Sequence, residues 1–209
     1  MKFQIFDLGL IDFRPALEFQ KQLFERVKNG KISHGLILCR HKPVITLGRN
    51  APRKNILVPE EELKKRGIDL FEIERGGDVT YHGPGQLTVY PIFNLDKIKK
   101  DIHLFLRNLE ERIGAALNIL EIPAVTRENL TGVWVNDKKI ASIGIAVRNW
   151  VTFHGFTLNV KSDDLKNFSL IRPCGMDIMM TSVEDELGRK VNFKRVKELL
   201  IKEMQKWPK

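Results

Sequence analysis

Arg75-Gly-Gly-Asp-Val-Thr-Tyr-His-Gly-Pro-Gly-Gln86 places four of the chain's fifteen glycines beside a proline, a histidine and an arginine. Glycine costs roughly 1 kcal/mol wherever regular structure is required. A segment that keeps so many needs positive φ angles or close approach of its backbone to another group, a substrate being the obvious candidate. A long turn between two strands would use the same residues. On either side the chain reads as β: Ile68 to Glu74 alternates apolar and polar side chains, and Leu87, Val89, Tyr90 and Ile92 form an apolar run.

Upstream, Phe3 to Leu8 reads as a first strand. Asp12, followed by Pro15, marks a helix start, and Ala16, Phe19, Leu23, Phe24 and Val27 fall at helical spacing up to Gly30. Gly35 to Cys39 and Val44 to Leu47 are short apolar runs around His41-Lys42-Pro43, predicting two strands joined by a turn. Pro59-Glu60-Glu61-Glu62 puts acidic side chains where a helix N-terminus favours them, so a short helix runs to Arg66.

Downstream, Phe105, Leu106, Leu109, Ile113, Ala116 and Leu120 make the stripe of a core-facing helix over Ile102 to Leu120. Val133 to Val135, Ile140 to Val147 and Trp150 to Val160 then predict an antiparallel meander. Asp163 to Phe168 is a short helical piece and Ile171 to Met176 a loop. Thr181 and Glu184 have capping-box spacing for a short helix ending near Gly188, and Asn192 opens a terminal amphipathic helix that reaches Trp207. The elements describe an α/β (α+β) protein with mixed, largely antiparallel sheets flanked by helices. The 209 residues suit one domain, 1–209.

The hydrophobic fraction of 43% and charged fraction of 29% are those of a soluble globular protein. No apolar run approaches the roughly 20 residues of a membrane span, and the N-terminus lacks the long apolar centre of a signal peptide, so a cytoplasmic location is expected. The net charge of +9 favours an acidic partner, but the basic residues are scattered and form no nucleic-acid stripe. Charge alone does not choose among nucleic acid, an anionic membrane and an acidic protein. The five histidines include no pair at the spacing of a zinc motif, and the glycines lack the Gly-Lys-Ser/Thr of a P-loop, so no metal or cofactor is expected.

Two residue types could carry chemistry. Cys174, between Pro173 and Gly175, lies outside any periodic apolar run, where packing gives no reason for a thiol; it is either an incidental loop cysteine or a nucleophile. An ordinary cysteine is only about 3% thiolate at pH 7, so catalysis would need a base or cation nearby. Lys138 and Lys139 begin a strand, and alternation points one of them toward the covered face of the sheet. A lysine acting as base near pH 7 must have its ammonium form disfavoured by about 4 kcal/mol, which requires a built site.

Four motifs, in order, resemble the octanoyltransferases of lipoate biosynthesis: Arg75 to Gln86 followed by Tyr90-Pro91, Lys139-Ile-Ala-Ser-Ile-Gly144, Phe153-His-Gly-Phe-Thr-Leu-Asn159 and Pro173-Cys-Gly175. The match runs from about His41 to the cysteine loop; the two ends agree only in general pattern. The resemblance implies the biotin/lipoate protein ligase-like fold and transfer of octanoyl, or lipoyl, from acyl carrier protein to the lysine of lipoyl domains. Those acceptors sit on 2-oxoacid dehydrogenase E2 subunits and the glycine-cleavage H protein. It further implies Cys174 as the acylated nucleophile, Lys139 as its partner base, and Lys138 as a solvated neighbour. Arg75, Gly76, Gly77, Asp78, Val79, Thr80, Tyr81, His82, Ser142, Ile143, Gly144, Gly155, Phe156 and Thr157 match the family's substrate-binding segments. The acidic carrier protein fits the positive charge, no cofactor, nucleic acid or membrane is implied as a partner, and the protein is expected to act as a monomer. His82 and His154 could touch substrate or orient the glycine-rich backbone. The rivals are an ATP-dependent lipoate or biotin protein ligase, an amidotransferase moving octanoyl between lipoyl proteins, and a basic binding module without catalysis.

Overall fold

The apolar run after the glycine-rich stretch is buried at every position from Gln86 to Phe93, and Val151–Asn159 is buried throughout as well. Strands that bury both faces occupy the middle of a covered sheet. In this computed structural model, which describes residues 2–173 and 178–207, the chain folds as β1 (Gln4–Ile11), α1 (Phe13–Lys28), β2 (His34–His41), β3 (Val44–Leu47), α2 (Glu60–Lys65), β4 (Asp69–Glu72), β5 (Val79–His82), β6 (Gln86–Phe93), α3 (Ile102–Asn118), β7 (Val125–Arg127), β8 (Leu130–Val135), β9 (Lys138–Arg148), β10 (Val151–Asn159), α4 (Val183–Leu187) and α5 (Phe193–Gln205).

Seven strands form one sheet in the order β1-β2-β6-β10-β9-β8-β7, and three form a second, β4-β3-β5. The β1–β2 and β3–β4 pairs are parallel and all the others antiparallel. The meander predicted downstream is the β8-β9-β10 part of the large sheet. Two layers cover that sheet. On one face Leu109, Ile113 and Leu117 of α3 and Val196, Leu200 and Met204 of α5 pack with Leu38, Val89, Ile145 and Phe156. On the other, Leu23, Phe24 and Val27 of α1 pack with Ile37, Tyr90, Ala146 and Phe153. The small sheet has its own core, in which Ile45, Leu47, Val79 and Tyr81 meet Phe168 and Leu170. Among the described residues no helix is long and apolar enough to cross a membrane.

The two strands expected on either side of His41-Lys42-Pro43 are β2 and β3, and the turn between them carries the chain from the large sheet to the small one. Two expectations are corrected. Asp12 has extended N-cap geometry but makes no capping hydrogen bond, its carboxylate pairing instead with Lys42 at 3.1 Å. The cap of α4 is Ser182, whose hydroxyl accepts the Asp185 N–H at 3.1 Å; the neighbouring Thr181 donates its hydroxyl to Glu186. Strand β7 was not foreseen, and β1 runs three residues beyond the predicted end.

Candidate active site

Alternation along β9 puts Lys138 on the same face as Ser142 and Gly144, and Lys139 on the other. The fold reverses this. Val133 opposes Ala141 while Trp134 opposes Lys139, so Ile140 is the extra residue of a β-bulge. A bulge re-aims the side chains before it. Lys139 therefore shares the face of Ser142 and Gly144 and is 8% exposed, whereas Lys138 is exposed. Ile140 and Ala141 both enter the core on the α3 side.

Lys139 is held closely. Its ammonium lies 5.1 Å from the centre of the Trp134 ring, and its backbone pairs with the segment just past the cysteine loop, Lys139 N donating to Met179 O (2.8 Å) and Thr181 N to Lys139 O (3.0 Å). Its side chain passes over Gly132, at φ +135°, where a Cβ would sit 2.4 Å from Lys139 Cε. Gly132 is fixed in turn by Glu110 of α3, whose Oε1 accepts the Gly132 N–H at 2.8 Å and whose Oε2 accepts from Arg107 at 2.6 Å.

Lys139 lines a cavity of about 400 Å³ between the small sheet and the α1 face of the large one. Arg75, Gly77, Asp78, Val79, Thr80 and His82 form one wall; Ser142, Ile143, Gly144, Gly155, Phe156 and Thr157 form another. Gly144 and Gly155 face each other across β9 and β10. A Cβ on Gly144 would lie 2.8 Å from Gly76 O, and one on Gly155 2.0 Å from Val89 O, so both positions need glycine for close backbone approach. Arg75 spans the two sheets: its guanidinium donates to Thr46 O (2.8 Å), Thr46 Oγ1 (3.0 Å) and Gly76 O (3.0 Å). Two residues of the matched segments lie away from the cavity. Gly76 donates its N–H to Ile145 O, and Tyr81 points into the small-sheet core, its hydroxyl accepting from Asn167 at 2.8 Å.

Pro173 and Ile178 both line the cavity, so the chain leaves and re-enters the described region at its wall; Cys174 lies outside the described residues. Cys39 is buried in the α1-side core, and burial raises its pKa, as befits an inert thiol. The Gly83-Pro84-Gly85 turn serves a different purpose from the first glycine pair. Asp164 Oδ2 accepts the Gly85 N–H at 2.5 Å, and a Cβ on Gly83 would lie 2.5 Å from that same oxygen. This half of the stretch is the clamped turn between β5 and β6.

Under the cavity sits a cluster of three histidines. Burial lowers His41 to about pKa 4 and His154 to about 3, and it holds His82 well below the ordinary histidine range, with His41, Arg75 and His154 adding charge repulsion. All three are neutral near pH 7. Neutral His41 donates from Nδ1 to Ile11 O (3.2 Å), which leaves Nε2 to accept from the Tyr90 hydroxyl at 2.6 Å. His82 Nδ1 shares a hydrogen bond of 3.0 Å with Thr157 Oγ1. Both His82 and His154 line the cavity.

The lipoyl protein ligase A/B catalytic domain matches residues 12–205. An octanoyltransferase of Thermoanaerobacter sp. (strain X514) is 45% identical over 201 residues, spanning 96% of this chain and 87% of its own. The chain belongs to the octanoyltransferase family. Its fold is shared more widely: a crystal structure of lipoate-protein ligase A bound with ATP superimposes at a TM-score of 0.83 with 21% identity, covering 99% of this chain and 85% of that one. The biotin protein ligase of Aquifex aeolicus gives 0.55 with 14% identity over 99% of this chain and 68% of its own. In this octanoyltransferase, sequence reasoning missed Thr46, Glu110 and Gln20, whose Oε1 accepts the His154 N–H at 3.1 Å. The last two carried a signal, since each is a buried polar side chain inside the apolar stripe of its helix.

Proposed function

We propose that this octanoyltransferase takes its acyl group from an acyl carrier protein and passes it to the lysine of a lipoyl domain through a thioester on Cys174, with Lys139 as the partner base. The observation that carries the reading is the bulge at Ile140, which delivers a buried lysine to a cavity lined also by Pro173 and Ile178, the described residues that flank Cys174 in the sequence. A nucleophile and a base approached from separate chain segments are the parts covalent acyl transfer requires.

Lys139, as the neutral amine, takes the Cys174 proton, and the thiolate attacks the thioester carbonyl. The tetrahedral intermediate collapses, the pantetheine sulfur leaves and takes from Lys139 the proton that came from Cys174, and octanoyl-Cys174 remains. The acceptor lysine attacks next, giving its proton to Lys139. The Cys174 sulfur leaves and is reprotonated. A thioester and an amine thus become a thiol and an amide, a downhill exchange that needs no ATP. Backbone amides of the glycine-rich wall support the oxyanion, although the Gly76 N–H is already committed to Ile145. Burying the chain's methylenes supplies about 4 to 5 kcal/mol of binding, at about 0.8 kcal/mol each. The +9 charge steers the acidic carrier protein. The acceptors are E2 lipoyl domains and the glycine-cleavage H protein, and the protein acts as a cytoplasmic monomer with residues 1–209 as one catalytic domain.

The test is intact-mass measurement after incubation with octanoyl acyl carrier protein. One octanoyl group should be added, and Cys174→Ser should abolish or greatly slow the addition. Acceptor octanoylation that requires ATP and persists in Cys174→Ala would overturn the reading.

A further inference from the structure

Glu110 is wholly buried on α3, beside Leu109 and Ile113 of the core. Taking a carboxylate out of water is costly unless its oxygens are bonded. Here Oε2 meets the half-exposed Arg107, and Oε1 reaches β8 and accepts the Gly132 N–H at 2.8 Å. The sheet is irregular where that bond is made. From Leu130 to Trp134 β8 advances four residues while its partner β7 goes only from Arg127 to Val125, so two residues of β8 stand outside that ladder. On the other side, the bulge at Ile140 lies between the pairs Val133–Ala141 and Trp134–Lys139. Gly132, at φ +135°, sits in this disrupted stretch and takes its acceptor from a helix.

The same stretch shapes the seat of the base. Val133 and Val135 enter the α3-side core, so alternation turns Gly132 and Trp134 to the cavity side, two residues apart on one face. The Lys139 side chain lies against both. The Trp134 ring centre is 5.1 Å from Nζ, and a Cβ on Gly132 would sit 2.4 Å from Cε and 3.2 Å from Nζ. Gly132 is thus the floor beneath the amine, and Glu110 pins that floor from the helix side. A glycine peptide is free to turn because no Cβ limits it, and without the carboxylate its N–H would have to find another partner.

We propose that Glu110 is a positioning residue for the base: it fixes the Gly132 peptide, and so holds Lys139 Nζ where proton exchange with Cys174 requires it. The inference rests on the octanoyl-transfer reading, in which Lys139 carries protons in both half-reactions. Proton transfer depends steeply on placement, so a loosened seat costs turnover more than substrate affinity.

Steady-state transfer from octanoyl acyl carrier protein to a lipoyl domain tests it. Glu110→Ala should lower kcat roughly 10-fold or more with KM held within about threefold. Glu110→Gln keeps an oxygen at the same reach and should recover most of the loss. Glu110→Asp keeps the charge but falls one methylene short and should not; it replaces the alanine variant throughout if that one does not fold. In a Lys139→Ala background, where the base is already gone, Glu110→Ala should slow single-turnover acyl loading by less than about twofold. A purely structural role would subtract equally in both backgrounds. Wild-type kcat in the alanine or aspartate variant, no recovery with glutamine, or a full further loss beside Lys139→Ala would each overturn the positioning role. A wild-type protein that loads no octanoyl at all overturns the octanoyl-transfer reading instead.

Discussion

A single inserted residue decides which of two adjacent lysines meets the cavity. The bulge at Ile140 buries Lys139 and leaves Lys138 in solvent. Lys139→Ala should lower octanoyl transfer by a factor of 100 or more, within the range that positioned proton transfer contributes, while Lys138→Ala leaves turnover within about twofold. Steady-state rates with octanoyl acyl carrier protein check both, and equal losses from the two variants would remove the bulge from the account. Gly132→Ala provides an independent probe, because the new methyl would meet Lys139 Cε and the Ala141 carbonyl at a backbone angle that disfavours any side chain. It should reduce transfer sharply, with a loss of stability of about 1 to 3 kcal/mol by urea denaturation. The sequence showed that one lysine of the pair turns inward, but the period-2 rule taken from Ser142 and Gly144 selects the wrong one. Only the pairing of β9 with β8 locates the extra residue, and pairing depends on long-range register.

At the level of elements, the glycine-rich stretch divides by task. Arg75, Gly77 to Thr80 and His82 meet the cavity, while Gly83 to Gln86 is a turn tied to the segment after β10 through Asp164. Gln86 extends the tie, donating from Nε2 to Asn159 Oδ1 at 2.9 Å. Asp164→Ala removes the acceptor from the Gly85 N–H and should cost about 1 to 3 kcal/mol in urea unfolding, whereas Asp164→Asn, which can still accept, should cost less. Equal stability of the alanine variant and the wild type would show that the clamp does not hold the turn. This division was not legible beforehand, since all four glycines fit either a turn or a substrate wall until the partner across 79 residues is known. The same limit explains β2 and β3. Their apolar runs were visible, but a short loop with a proline serves equally well as a hairpin and as a crossing between sheets. The helices were the most legible elements because their stripes are local, and even the polar interruptions Gln20 and Glu110 were in plain sight.

Across the whole molecule, two covered layers around β6 and β10 bury the histidine cluster beneath the cavity, and this makes stability depend on pH. A histidine in the unfolded chain titrates near pH 6.5, whereas His41 and His154 in the fold titrate near 4 and 3. Between those values the unfolded state binds more protons, so stability is fully present above about pH 6.5 and declines as the pH falls toward 4. At pH 5 the linkage removes about 2 kcal/mol for each of the two groups, and His82, also held neutral by burial, adds to the loss. A total near 4 kcal/mol is a large share of the roughly 5 to 15 kcal/mol that holds a domain together. Urea unfolding at pH 8, 7 and 5 should give nearly equal free energies at the first two and a marked drop at the third. His154→Asn, whose side chain tolerates the left-handed backbone, should recover about half of the part assigned to His41 and His154. A wild-type free energy unchanged between pH 7 and 5 would mean that the cluster is not neutral in the fold, and an equal drop in His154→Asn would assign the acid sensitivity to other groups.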